Sequence, residues 1–252
     1  MTRATLTKPV VEAGLRYDCG REWSACTLTG PGKPINADAL ALDFTGNCLA
    51  FVVADGVGAM AGSQMASALA ANAAADWIAS RSWLDRDAIT SLYAAANRAV
   101  GAGLKDKNTS GATTMVLAAV AGGQGLVASV GDSEILAVEM NGPAKSLAPV
   151  DHLPKQTNVL LAWLDGVETF DANVIALEAL PYRLCLMTDG VAGTLSYETI
   201  ADLVRSVEPA EAARLLVREA RAAGSKDDAT ALVFSNRIED EVFSGFSPPF
   251  FR

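Results

Sequence analysis

The sequence predicts an α+β protein in which antiparallel sheets carry helices on their outer faces. Strand-like and helix-like runs come in blocks: strands, two helices, strands, two helices, then a final strand. Parallel βαβ units would alternate instead. Neighbouring strands are joined by Thr45-Gly46-Asn47, Gly122-Gly123 and Asn141-Gly142, which are hairpin turns rather than crossovers. Half of the 252 residues are apolar, enough for one large core, and no Pro/Ser-rich linker or charge run divides the chain.

Taken in order, Trp23 to Thr29 predicts a first strand, and Asp38 to Phe44 with Cys48 to Ala54 a hairpin. Ser63 to Ser80 is Ala-rich with no Pro or interior Gly, which predicts a helix. Ala88 to Ala102 predicts a second, with Ile89, Leu92, Ala96 and Val100 at helical spacing, followed by a loop from Leu104 to Ser110. Ala112 to Ala121, Gly125 to Val130 and Ile135 to Met140 predict a three-stranded meander, with Lys145 to Ala148 pairing back. Asn173 to Glu178, Tyr182 to Met187 and Ala229 to Phe234 complete the strands. Tyr197 to Val207, N-capped by Ser196, and Pro209 to Ala223 complete the helices.

The chemistry lies at the strand ends. Leu49-Ala-Phe-Val-Val-Ala-Asp55-Gly56-Val-Gly58 is an apolar strand that stops at a carboxylate and turns on glycines. Arg183-Leu-Cys-Leu-Met-Thr-Asp189-Gly190 repeats this pattern, and Gly224-Ser-Lys-Asp227-Asp228 places acids just before a strand. Asn36-Ala-Asp38-Ala and Val130-Gly-Asp132-Ser add two more. Two carboxylates ~5 Å apart repel by roughly 3 kcal/mol at an effective dielectric near 20. If these residues converge, a hard divalent cation must neutralise them, and ligands that are all oxygen point to Mg²⁺ or Mn²⁺.

The ordered set resembles the metal-dependent protein phosphatase 2C family. The matching pieces are Asn36-Ala-Asp-Ala, Asp55-Gly-Val-Gly with Met65-Ala-Ser, Gly111-Ala-Thr-Thr, Val130-Gly-Asp-Ser, Asp151-His152, Asn158-Val-Leu, Thr188-Asp-Gly and Gly224-Ser-Lys-Asp-Asp-Ala-Thr. Each is weak alone, but in this order over about residues 14 to 235 they are specific. The resemblance implies two packed antiparallel β-sheets flanked by helix pairs, an α-β-β-α sandwich. It also implies a Ser/Thr phosphoprotein phosphatase with two Mg²⁺ or Mn²⁺ ions. Asp55 would bridge them, Asp189 and Asp227 would complete the first, and the Gly56 carbonyl and Asp38 would serve the second. A third, weaker cation would sit at Asp132, whose plainer alternative is a turn carboxylate. A water between the metals would attack phosphorus in line, without a phosphoenzyme. The implied partners are phosphoserine and phosphothreonine proteins, a cognate Ser/Thr kinase or its substrates.

Departures from the family pattern keep an alternative open, a pseudophosphatase acting as a binding or regulatory module. Lys33 stands where the phosphate-gripping Arg is usual, a point charge in place of a fork of donors, and Pro34 leaves its direction open. Ala37 stands where many relatives have an acid, and Glu134 where an Arg is usual. Asp228 replaces a common Asn, and a solvated or capping role is expected of it. Between Asp151-His152 and Asn158 the family has a flap of some two dozen residues. Here only Leu153-Pro-Lys-Gln-Thr157 remains, about 17 Å fully stretched, which predicts an open cleft and weak discrimination among phosphopeptides.

The net charge of −9, with no basic cluster, argues against nucleic acid or an anionic membrane as partner. His152 is the only histidine, which excludes a multi-His metal site, and its expected role is structural. Cys19, Cys26, Cys48 and Cys185 form no Cys-x-x-Cys pair and fit a reducing compartment. The N-terminus lacks the apolar stretch of a signal peptide, so the expected location is cytoplasmic. The expected organisation is one catalytic domain over residues 1–236 and a Phe-rich tail over 237–252, which either docks on the body or a partner or is a frayed terminus.

Overall fold

The computed structural model describes residues 4–5, 15–19, 22–45, 48–58, 60–80, 85–121, 123–148, 152–153, 156–160, 162–167 and 171–236. The turn residues Gly46 and Asn47, the His152 side chain and the tail from 237 onward lie outside the described residues, as do the expectations placed on them.

Two six-stranded antiparallel sheets form the centre. The first runs β1 (Ala4–Thr5), β4 (Ala39–Thr45), β5 (Cys48–Ala54), β6 (Met115–Ala121), β7 (Gln124–Val130), β12 (Asn173–Leu177). The second runs β2 (Leu15–Cys19), β3 (Trp23–Leu28), β14 (Ala229–Ser235), β13 (Arg183–Met187), β8 (Glu134–Val138), β9 (Lys145–Ser146). A small hairpin pairs β10 (His152–Leu153) with β11 (Gln156–Leu160). The helices are α1 (Ser63–Ala79), α2 (Arg86–Asp106), α3 (Asp189–Ala192), α4 (Tyr197–Arg205) and α5 (Pro209–Ala222).

Strand alternation makes three core layers from these elements. In β5, Phe51 and Val53 enter the layer between the sheets, where Leu184 and Leu186 of β13 and Leu232 and Phe234 of β14 meet them. Ala50 and Val52 face the other way, into a layer with α1 and α2. In β13, Cys185 and Met187 turn outward to α4 and α5. The result is the α-β-β-α sandwich.

The expected meander is corrected. β6 and β7 pair as a hairpin, but β8 belongs to the other sheet and pairs with β13. The chain changes sheets at Gly131, whose φ of +94° a side chain rarely adopts and whose added Cβ would lie 2.5 Å from Thr114 Cγ2. The expected loop from Leu104 is shorter than predicted, because α2 continues to Asp106 and buries Leu104 in the helix–sheet core. Ser196 caps α4 as expected, its hydroxyl accepting from Thr199 N–H.

Candidate active site

The antiparallel connections bring the acidic strand ends to one end of the sandwich. Asp38 enters β4, Asp55 leaves β5, Asp132 follows β7, Asp189 follows β13 and Asp227 precedes β14. Lys33, Asp55, Gly56, Asp132, Asp189 and Asp227 line one cleft of about 770 Å³. Asp38 lies behind them with both carboxylate oxygens in the interior. One oxygen, Oδ2, accepts from Thr230 Oγ1 at 2.6 Å and Thr188 Oγ1 at 3.0 Å. Thr230 is in turn met by Thr27 Oγ1 at 2.7 Å, and Asn36 Nδ2 donates to Thr27 at 2.8 Å. This relay of donors fixes the carboxylate. The other oxygen, Oδ1, is buried without a hydrogen-bond partner. It is the one such carboxylate oxygen among the described residues, and a lone buried acceptor is costly unless something binds it.

Asp55 is set with similar care. Its backbone N–H donates to Thr114 Oγ1 at 3.1 Å, and its carbonyl accepts from Thr114 N–H at 2.9 Å and Thr113 Oγ1 at 2.7 Å. Gly56 is obligatory, since a Cβ there would sit 2.8 Å from the Ala37 carbonyl oxygen and from Ser63 backbone. The strand before Asp189 ends at Met187, as expected. Asp189 then opens the short helix α3, which the sequence did not reveal. Gly190 packs so closely on β14 that a Cβ would lie 1.9 Å from the Asp228 carbonyl oxygen. Gly190→Ala is therefore expected to destabilise the fold by about 2 kcal/mol or more, because backbone cannot yield as a side chain can. Urea denaturation checks this, and a midpoint equal to wild type contradicts the close fit.

Like charges dominate the electrostatics. Burial pushes the Asp55 carboxyl well above its ordinary range, and Asp38, Asp189, Asp132 and Asp227 push it further. Burial also lifts Asp38 to about 8, with Asp228 and Asp189 adding to it against the Thr230 and Thr188 hydrogen bonds. Asp189 is raised by burial and by Asp227, while a side-chain hydrogen bond with Asp55 opposes the rise. Among the described residues no three acidic, Cys or His side chains stand together as a finished ligand set. Lys33 pairs with Asp227 at the edge of this cluster.

The direction of Lys33 is settled. Its Nζ pairs with Asp227 and reaches Asp228 Oδ2 at 3.3 Å. Burial lowers its pKa, but hydrogen bonding and charge from Asp227 and Asp228 win and leave it raised. The solvated alternative for Asp228 is corrected, because its side chain is only 2% exposed. It accepts from Gly30 N–H at 2.7 Å and Ala37 N–H at 2.9 Å, so it caps the loop that carries Lys33 and Asp38. Glu134 lies apart from the cleft lining, buried and accepting from Ser146 Oγ at 2.7 Å and from the Tyr197 hydroxyl. Thr114, Met60, Leu160 and Trp163 also line the cleft. The sequence assigned them no role, although Thr114 and Leu160 lie inside quoted motifs.

The acidic cleft thus lies at one end of a helix-flanked double sheet. The sequence profile described as Protein phosphatase 2C matches residues 32–223. The chain belongs to the protein phosphatase 2C family. No individually curated protein matches it. Among solved structures, the chain is similar to a bacterial serine phosphatase at 16% identity and a TM-score of 0.79, covering 88% of this chain and 100% of that one. It is similar to the catalytic domain of a serine threonine protein phosphatase in complex with two manganese ions, at 24% identity and a TM-score of 0.73, covering 88% and 97%. It is also similar to a Ser-Thr phosphatase from Mycobacterium smegmatis in complex with cacodylate, at 28% identity and a TM-score of 0.72, covering 85% and 98%. No helix among the described residues is long and apolar enough to cross a membrane.

Proposed function

We propose that the protein hydrolyses phosphoserine and phosphothreonine in proteins with two divalent cations, Mg²⁺ or Mn²⁺. The observation that carries this reading is the meeting of Asp55, Asp132, Asp189 and Asp227 in one cleft with the lone Asp38 Oδ1 behind them. The donor set fits a hard cation, since it is all oxygen, opens on a cleft and is in excess of negative charge. Asp55, Asp189, Asp227, Asp38 and the Gly56 carbonyl would hold the two ions, and Asp132 a third, weaker one. When bound, the ions supply Lewis acidity and lower the pKa of a water into the neutral range. The Asn36–Thr27–Thr230–Asp38 relay keeps Asp38 Oδ1 presented. Lys33 brings a cation to the cleft for the phosphoryl oxygens. In the net reaction, water oxygen bonds to phosphorus, the P–O bond to the seryl or threonyl oxygen breaks, and that oxygen leaves with a proton.

In this reading residues 1–236 are one catalytic domain, and the partners are a cognate kinase or its substrates in the cytoplasm. The pseudophosphatase alternative loses one of its supports, because Glu134 makes structural hydrogen bonds outside the cleft lining. Hydrolysis of p-nitrophenyl phosphate is expected to require Mn²⁺ and to stop with EDTA. Absence of turnover at millimolar Mn²⁺ overturns the proposal and leaves the binding module.

A further inference from the structure

The cleft has a second, apolar wall. Val57, Met60, Leu160 and Trp163 line the cleft together with the carboxylates. Its volume of about 770 Å³ is in the range that accommodates a whole small ligand, well beyond a phosphoryl group. Resting on the phosphatase reading above, we propose that this wall is a specificity subsite. It takes an apolar side chain adjacent to the phosphorylated residue of a substrate polypeptide.

The wall is anchored. Leu164 is fully buried in the helix–sheet core, and it exchanges two backbone hydrogen bonds with Thr113, at 3.0 and 2.8 Å. Thr113 in turn donates its hydroxyl to the Asp55 carbonyl at 2.7 Å. A short path of hydrogen bonds therefore fixes Trp163 relative to the central carboxylate. On the far side, Asp165 accepts from Trp163 Nε1 at 3.0 Å and from Val167 N–H at 2.8 Å. Gly166 donates to Asn97 Oδ1 at 2.7 Å. Gly166 also lies against Gly101 of α2, where an added Cβ would meet Gly166 Cα at 2.6 Å. The indole N–H is thus satisfied away from the apolar face, and the half-buried ring is held still. A fixed aromatic offers contact area at little cost in conformational entropy. Met60, 40% exposed beside the Asp55-Gly56 turn, offers a side chain that adapts to different apolar shapes.

The occupant follows from continuity. A phosphoryl group on the carboxylate side forces the residues flanking it in a polypeptide along the same cleft, and an aliphatic or aromatic neighbour buries its surface on Trp163. The shortened hairpin β10–β11 places Leu160 directly in this wall.

The test compares kcat/KM with Mn²⁺ for phosphothreonine peptides that carry Leu, Phe, Gly or Asp beside the phosphorylated residue. Wild type is expected to favour Leu and Phe over Gly by about tenfold, equivalent to ~1.4 kcal/mol. Trp163→Ala is expected to bring that ratio to near one, mainly through KM, with the Gly peptide as internal reference. A uniform loss on all peptides, or a wild type indifferent to the neighbour, overturns the subsite while leaving the phosphatase standing. If wild type fails to hydrolyse p-nitrophenyl phosphate with Mn²⁺, the phosphatase reading fails, and the subsite with it. Should Trp163→Ala not fold by thermal melting, Met60→Gln serves in its place. It is expected to reduce the ratio at least threefold, and an unchanged ratio overturns the proposal.

Discussion

Asp55→Asn is expected to remove activity and to make the metal-free protein more stable. The first effect follows from position: Asp55 is the carboxylate that every other acid of the cleft faces. Asparagine keeps the shape but offers a neutral ligand, so Mn²⁺-dependent turnover is expected to fall by at least about 10³-fold. The second effect follows from repulsion. Wild type without metal must either keep Asp55 protonated at neutral pH or bury its charge among like charges. Asparagine does neither, because its amide carries no charge and no titrating proton. A gain of roughly 1–3 kcal/mol in EDTA at pH 7.5 is expected, which for a chain of this size raises the melting temperature by about 3–8 °C. Turnover within tenfold of wild type, or a lower melting temperature in EDTA, contradicts the assignment.

Parts of this site were legible because single residues have strong local meaning. An apolar run that stops at Asp-Gly can be read from Leu49 to Gly58 without knowing the fold, and so can the Ala-rich run that becomes α1. What was not legible depends on where remote segments pack. Gly131 looks like one more hairpin glycine, yet it sends the chain to the other sheet and delivers Asp132 to the cleft. Asp228 reads like half of a solvated acidic pair, and only the loop from Gly30 to Ala37 folding over it makes it a buried cap. Trp163 follows a short strand and resembles a core residue. Its role in the cleft wall depends on Leu164 taking the core position instead.

In EDTA, stability is expected to fall as pH rises from 5.5 to 7.5, the reverse of ordinary acid denaturation. Asp38, Asp55 and Asp189 all have folded-state pKa values above those of the unfolded chain, with Asp38 at about 8. Between the unfolded value near 4 and the folded values, the native state holds more protons than the unfolded state. Stability is therefore fully present below about pH 4 and drains away as pH climbs through the folded pKa values, at ~1.4 kcal/mol per pH unit for each extra proton. Glu134, raised by burial despite its hydrogen bonds, acts in the same direction. Over this window a loss of about 2 kcal/mol or more is expected. Mn²⁺ competes with those protons, so at pH 7.5 it is expected to return ~2.7 kcal/mol when present at a hundred times its dissociation constant. Melting curves at pH 5.5, 6.5 and 7.5, with EDTA and with Mn²⁺, decide this. A melting temperature in EDTA that is flat or rises over the range contradicts the buried carboxylate cluster.

The last strand has a consequence for biosynthesis. β14 lies in the middle of its sheet, between β3 and β13, and Thr230 on it completes the hold on Asp38. A growing chain on the ribosome has already exposed Asp38, Asp55, Asp132 and Asp189 long before Ala229–Ser235 emerges. Until then β3 and β13 have no strand between them, and Asp38 lacks the Thr230 hydroxyl. Chain order thus becomes an order of assembly, in which the strands that carry Asp38, Asp55 and Asp132 precede the strand that completes the hold on Asp38.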